Sequence, residues 1–232
     1  MGNKRNRDDF LKYLVSVSDK KYLESATKIT DSKYERFGVR VPICREIAKE
    51  ILKNFSREEL ADYLEWKSEY FEEVLIRGFV IAGLPYAEMK KQMFNFVQLI
   101  DNWEVCDTFC ASLKSVKKNK DDFLGVVDEL LERDEFYVRV GLICLMDYYL
   151  SPEDLPIVFE KILHVKNREE YYVRMAVAWC LATGFAKFPK ETFDFFISAK
   201  LPKWTHNKTI SKACESFRVD FDLKENLRKL RV

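Results

Sequence analysis

The chain has 232 residues, 47% hydrophobic and 33% charged, which supplies ample material for a core and excludes a disordered chain. Its 39 Lys and Arg stand against 38 Asp and Glu, so the net charge of +1 excludes attraction to a polyanion through bulk charge, and any basic surface has to come from segregation over the fold. Only 7 Gly and 6 Pro serve the whole chain, which is little turn material for an antiparallel sheet and favours helices.

Apolar residues recur at the helical period almost throughout. They predict helices at about 7–17, 20–29, 41–54, 57–65, 68–83, 86–99, 103–116, 120–132, 135–149, 152–164, 169–187, 190–199, 205–217 and 222–230. Pro42 falls at a first helical position, Ser56 and Glu59 have capping-box spacing, and Ser151-Pro152 opens a further helix. The connections are short, as helix hairpins require. The opening segment MGNKRNRDDF is charged, and no apolar run reaches membrane-spanning length, so neither a signal peptide nor a membrane helix is expected and the chain reads as cytoplasmic.

Two segments repeat in register. FYVRVGLICLMDYYL at 136–150 and YYVRMAVAWCLATGF at 171–185 share Tyr-Val-Arg, which sets Arg139 and Arg174 35 residues apart. Two helices and two turns consume about that length, and FEEVLIRGFVIAGL and NKTISKACESFRV look like looser copies. The expected fold is all-α, a short HEAT-like α-solenoid forming a single domain over 1–232, whose inner helices line a concave surface suited to an extended partner.

Cys44, Cys106, Cys110, Cys144, Cys180 and Cys214 are scattered through apolar stretches without a C-x-x-C pair, and read as reduced core residues. His164 and His206 are the only histidines and neither adjoins a cysteine pair, so no metal is expected.

The segment Asn102-Trp103-Glu104-Val105-Cys106-Asp107-Thr108-Phe109-Cys110 places Trp103 and Asp107 one turn apart on a helix face. Two readings are open: a core tryptophan beside an ion-paired aspartate, or a functional pair. Arg139 and Trp179 fall on the inner helices of the two following repeats. Guanidinium suits phosphate, and indole faces suit sugars or a cationic base. A carboxylate repels phosphate, so its use among them is to stabilise a cation formed during reaction, as cleavage of a glycosidic bond requires.

Arg40 and Arg45 flank the helix start at Pro42, where either a phosphate contact or a surface salt bridge fits. Lys114, Lys117, Lys118 and Lys120 form either a phosphate-contacting cluster or a solvated loop. Trp66 and Trp204 read as packing residues near helix ends, while His206, Lys208 and Lys212 in the last repeat are candidates for contacts to a phosphate backbone. Arg174, the repeat equivalent of Arg139, joins Arg40, Arg45, Lys208 and Lys212 among the phosphate-contact candidates.

Taken in order, FGVRVPICREIAKEI at 37–51, NWEVCDTFC, FYVRVGLI, YYVRMAVAWCL and NKTISKACESF resemble the AlkD-like DNA alkylation repair family over most of the chain. The resemblance implies a HEAT-like solenoid that grips duplex DNA containing alkylated bases and excises N3- or N7-alkylated purines. Its site residues fall here on Asp107, Trp103, Arg139 and Trp179. The two tryptophans would pack on deoxyribose, Asp107 would stabilise the sugar cation and Arg139 would hold the backbone. No cofactor is implied, and a monomer is expected. The sequence departs from the family pattern at Ala182, where a basic residue can stand, and at Glu104, a second carboxylate near the site. The alternative is a non-catalytic solenoid that binds DNA structures or a protein partner.

Overall fold

A computed structural model describes residues 6–232; the first part of the charged opening segment, residues 1–5, lies outside them. Among the described residues there are fourteen α-helices and one 3-10 helix, with a single isolated bridge between Glu35 and Tyr70 and no sheet. The helices fall into two compact units, one ending at Lys118 and one beginning at Asn119.

The first unit contains α1 (Arg7–Ser16), α2 (Lys20–Ile29), α3 (Val41–Asn54), α4 (Arg57–Glu65), α5 (Phe71–Gly83), α6 (Tyr86–Val97), α7 (Trp103–Cys110) and the 3-10 helix Lys114–Lys118. Its centre is α5, which packs on α3, α6 and α7 and buries every residue from Phe71 to Ala82. A helix that is apolar nearly all round has to be enclosed by its neighbours. Two carboxylates go into the core with it. Glu72 accepts hydrogen bonds from the backbone N–H groups of Phe37 (3.0 Å), Gly38 (2.8 Å) and Val39 (3.0 Å), which pins the loop leading into α3. Gly38 has φ +84°, and a Cβ there would meet Asp19 O at 2.8 Å and Leu23 Cβ at 2.7 Å, so only glycine fits. Glu73 accepts from the N–H groups of Glu69 and Tyr70 and pairs with Arg7 at 2.8 Å.

The second unit contains α8 (Lys120–Leu131), α9 (Glu135–Tyr148), α10 (Leu155–Val165), α11 (Tyr171–Lys187), α12 (Pro189–Ala199), α13 (Lys203–Glu215) and α14 (Phe221–Lys229). Here α11 is central, packing on α9 and α13, with α8 and α10 against α9, α12 against α11 and α14 against α13.

One contact recurs along the chain: an arginine of one helix pair lies over an aromatic ring of the next. The guanidinium-to-ring distances are 3.5 Å for Arg36 on Phe71, 4.1 Å for Arg45 on Phe79, 5.6 Å for Arg139 on Tyr172 and 4.5 Å for Arg174 on Trp204. Arg139 and Arg174 stand at equivalent repeat positions and join one repeat to the next in the same way, while Arg36, in the loop before α3, and Arg45 both meet α5. Trp204 is accordingly a packing residue, as is Trp66, which lies among the rings of Phe10 and Tyr63.

All fourteen helices expected from the periodicity are present, with three local differences. The helix expected at 103–116 stops at Cys110, where Ser112 Oγ donates to Thr108 O (2.7 Å). The chain then tightens into i→i+3 bonds, Leu113 N–H to Cys110 O and Val116 N–H to Leu113 O, which put Leu113 and Val116 on one fully buried face. Pro42 occupies the second position of α3, not the first. Ser151-Pro152 does not open a helix; Ser151 Oγ donates to Asp154 Oδ2 (2.8 Å) in a turn, and α10 starts at Leu155. The Ser56–Glu59 capping box is formed, with Ser56 N–H donating to Glu59 Oε2 (2.8 Å) and Glu59 N–H to Ser56 Oγ (3.2 Å). No cysteine is in a disulfide; five are buried and Cys214 is half-buried.

Candidate nucleic-acid interface

In the first unit the candidate residues stand on α7. Asn102, fully buried, accepts from Val105 N–H (3.1 Å) and starts the helix, while Val105, Cys106, Phe109 and Cys110 form its buried face. Phe109 is locked against Phe96 with ring centroids 4.6 Å apart. Trp103 and Asp107 are left on the other face: Trp103 is 38% exposed and Asp107 is partly exposed one turn later. A tryptophan this large is normally covered, so its exposure beside a carboxylate departs from plain packing. Glu104 is not an open negative charge. Its carboxylate lies 3.2 Å from Arg36 Nη1, and the two side chains are 14% and 5% exposed.

The two arginines near the start of α3 behave differently. Arg40 takes the salt-bridge reading, with Nε at 3.1 Å and Nη2 at 2.8 Å from Asp19 Oδ2, and it lies over Tyr22. Arg45 turns inward over Phe79 and donates from Nη1 to Ser112 Oγ (2.7 Å). Partial burial pushes its guanidinium pKa down. Among the described residues no carboxylate pairs with Arg45, which leaves a partly desolvated cation suited to an incoming anion.

In the second unit Arg139 is 4% exposed and donates from Nη1 to Tyr172 O (3.1 Å), while Arg174 lies over Trp204 with a buried Nε that has no hydrogen-bond partner among the described residues. Trp179, again 38% exposed, lines a cleft of about 210 Å³ on α11 and α13 together with Ala182, Thr183, Lys212, Glu215, Ser216 and Arg218. Lys212 reaches Glu215 at 2.9 Å, and Lys208 stands one turn before it, partly exposed. His206 is taken up by packing: it stacks on Phe196 at 4.4 Å, with Nε2 2.8 Å from Leu230 O. Of the four clustered lysines, Lys114, Lys117 and Lys118 are exposed and Lys120 pairs with Asp154.

A family model described as DNA alkylation repair enzyme matches residues 10–217. The chain belongs to this DNA alkylation repair family. Two solved structures are similar to it: smu.31 from Streptococcus mutans UA159, with 20% identity, 78% of this chain and 93% of that one covered and a TM-score of 0.62; and a protein from Enterococcus faecalis described as a predicted DNA alkylation repair enzyme, with 13% identity, 86% and 96% covered and a TM-score of 0.64. At these identities the likeness is one of fold, and it agrees with the all-α, HEAT-like class read from the sequence. A comparison with the curated proteins found no match.

Membership of this family implies DNA as the substrate. No helix among the described residues is long and apolar enough to cross a membrane, and no group of three or more His, Cys, Asp or Glu is placed to hold a metal ion. The structure brings Trp103 to Asp107 on one face of α7, and Trp179 to Lys212 and Arg218 at one cleft. Arg218 was not marked out by the sequence. It lies at the end of the last loose repeat copy, and nothing in the periodicity separates it from any other surface arginine.

Proposed function

We propose that this DNA alkylation repair protein is a glycosylase that hydrolyses the N-glycosidic bond of N3- or N7-alkylated purines in duplex DNA. The observation that carries the reading is the pair Trp103 and Asp107, carried together on the outer face of α7 while the adjacent Glu104 is neutralised by Arg36. A negative charge one turn from an exposed indole on the same helix face is poorly suited to contacting phosphate and well suited to a cationic sugar.

The chemistry balances without a cofactor. Alkylation gives the purine a positive charge, so the bond from C1′ to the base breaks with its electron pair going to the base nitrogen, which neutralises the leaving group. The deoxyribose is left with oxocarbenium character, Asp107 stabilises it, and water adds at C1′ and loses a proton, for which the same carboxylate is the nearby acceptor. The indole of Trp103 shields the sugar from bulk solvent, which strengthens the effect of the charge. Following the family resemblance, Trp179 packs on deoxyribose, and Arg139, seated on Tyr172, is assigned to the backbone. Arg45, Arg174, Lys208 and Lys212 supply phosphate contacts. Arg40 is the weakest member of that set, because Asp19 already occupies its guanidinium.

The test is incubation of the purified protein with methylated duplex DNA, following free 7-methylguanine and the abasic sites left behind. The proposal expects both in equal amounts. A folded protein that binds the duplex and releases no base would sink the glycosylase assignment and leave a binding role.

A further inference from the structure

The turn after α13 combines two features that the glycosylase reading does not use. Ser216–Val219 is a tight turn, with Val219 N–H to Ser216 O (3.4 Å) and Arg218 N–H to Ser216 Oγ (3.3 Å). Val219 is 4% exposed and ties its end to the unit, and Asp220 caps α14 immediately afterwards. Phe217 and Arg218 occupy the two central positions, so both are projected from an anchored turn. Phe217 is 103% exposed, the most exposed large apolar side chain described. The Arg218 guanidinium makes no ion pair or hydrogen bond among the described residues, and Arg218 lines the same cleft as Trp179 and Lys212.

Leaving a phenylalanine in water forgoes the free energy of burying it. A rigid turn that holds it there beside an unpaired guanidinium has the composition of a nucleic-acid contact: a flat apolar face for sugar or base and a planar donor for phosphate. The cleft beside it is cationic on balance, because Lys212 and Arg218 outweigh Glu215.

We propose that the Ser216–Val219 turn is a DNA-gripping element of this protein, in which Arg218 and Lys212 bind a backbone phosphate at the Trp179 cleft and Phe217 packs on an adjacent nucleotide. The family match ends at residue 217, so Arg218 takes no assignment from it. This inference rests on the chain binding duplex DNA.

The experiment measures affinity for a short unmodified duplex across a salt series, for the parent, Arg218→Gln, Phe217→Ala and Lys190→Gln, the last an exposed lysine outside this cleft. Loss of one phosphate contact lowers the slope of log K against log salt by about 0.9. Arg218→Gln is expected to show that drop. Phe217→Ala is expected to weaken binding about tenfold with the slope unchanged, as loss of an aromatic contact does. Lys190→Gln is expected to match the parent. If the parent binds but Arg218→Gln keeps the parental slope, or Phe217→Ala the parental affinity, the turn is no DNA contact and the glycosylase reading stands. A parent without affinity for DNA overturns both.

Discussion

Arg36 Nη1 sits 3.2 Å from Glu104 Oε2, three residues before Asp107 on the same helix, with both side chains almost wholly buried. The guanidinium also lies 3.5 Å from the centre of the Phe71 ring and donates to Thr30 O. The pair distinguishes two carboxylates that lie close together in the sequence: Glu104 is held by Arg36, and Asp107 is the one proposed for chemistry.

Removing one partner of a buried pair strands the other charge and costs about 3–5 kcal/mol. Arg36→Met is therefore expected to lower the urea unfolding free energy by about 3 kcal/mol, and adding Glu104→Gln should restore most of it. Glu104→Gln alone should leave base release near the parental rate. If it abolishes release in a folded protein, the two carboxylates have been given each other's roles.

Glu72 predicts a second stability effect. One of its oxygens accepts from Gly38 and Val39 and the other from Phe37. Glu72→Gln would turn an amide NH₂ towards one of these N–H groups, and hydrogen bonds to a charged acceptor contribute about 1.5–3 kcal/mol each. The expected loss is about 2 kcal/mol, read from a denaturant midpoint, with increased proteolysis of the 30–40 segment. An unchanged midpoint would show that the carboxylate is not what orders this loop.

In the second unit the Arg168 guanidinium, 2.5 Å from Glu170, holds that carboxyl below the usual glutamate range. A depressed carboxyl contributes stability above its unfolded pKa of about 4.3, and the contribution is lost as pH falls through the folded value. The pair is partly exposed, so its size is under about 1 kcal/mol. The difference in stability between parent and Arg168→Met should be present at neutral pH and vanish in acid. A difference that persists in acid would point to packing instead of charge.

The thiols give a simple check on the core. Burial pushes the Cys180 pKa up to about 12 and raises that of Cys44 as well, while Cys214 is only half-buried. A thiol reagent should modify Cys214 first in the native chain and reach the other five only on unfolding. Rapid modification of several thiols would contradict this packing.

The fold was legible because helical periodicity and capping chemistry are local: Asn102, Ser56 and Asp19 each accept from an N–H three residues on, and such signals are written in the chain. The break after Cys110 was not, because it depends on burying Leu113 and Val116 in the core of the first unit, a tertiary demand. Site residues divided in the same way. Trp103 and Asp107 could be paired from i,i+4 spacing, but the neutralisation of Glu104 depends on Arg36, 68 residues away. Arg45 and Ser112 are likewise joined across 67 residues, and His206 reads as a surface donor until Phe196 is seen stacked on it.

Asp107 is proposed to stabilise the sugar cation during release of an alkylated purine. The most direct measurement is the single-turnover rate of 7-methylguanine release from methylated duplex DNA by Asp107→Asn beside the parent, with duplex affinity recorded for both. Loss of a preorganised charge of this kind costs about 10²–10³ in rate, so the account predicts a fall of that size with affinity retained or raised. Release by Asp107→Asn at the parental rate would contradict it.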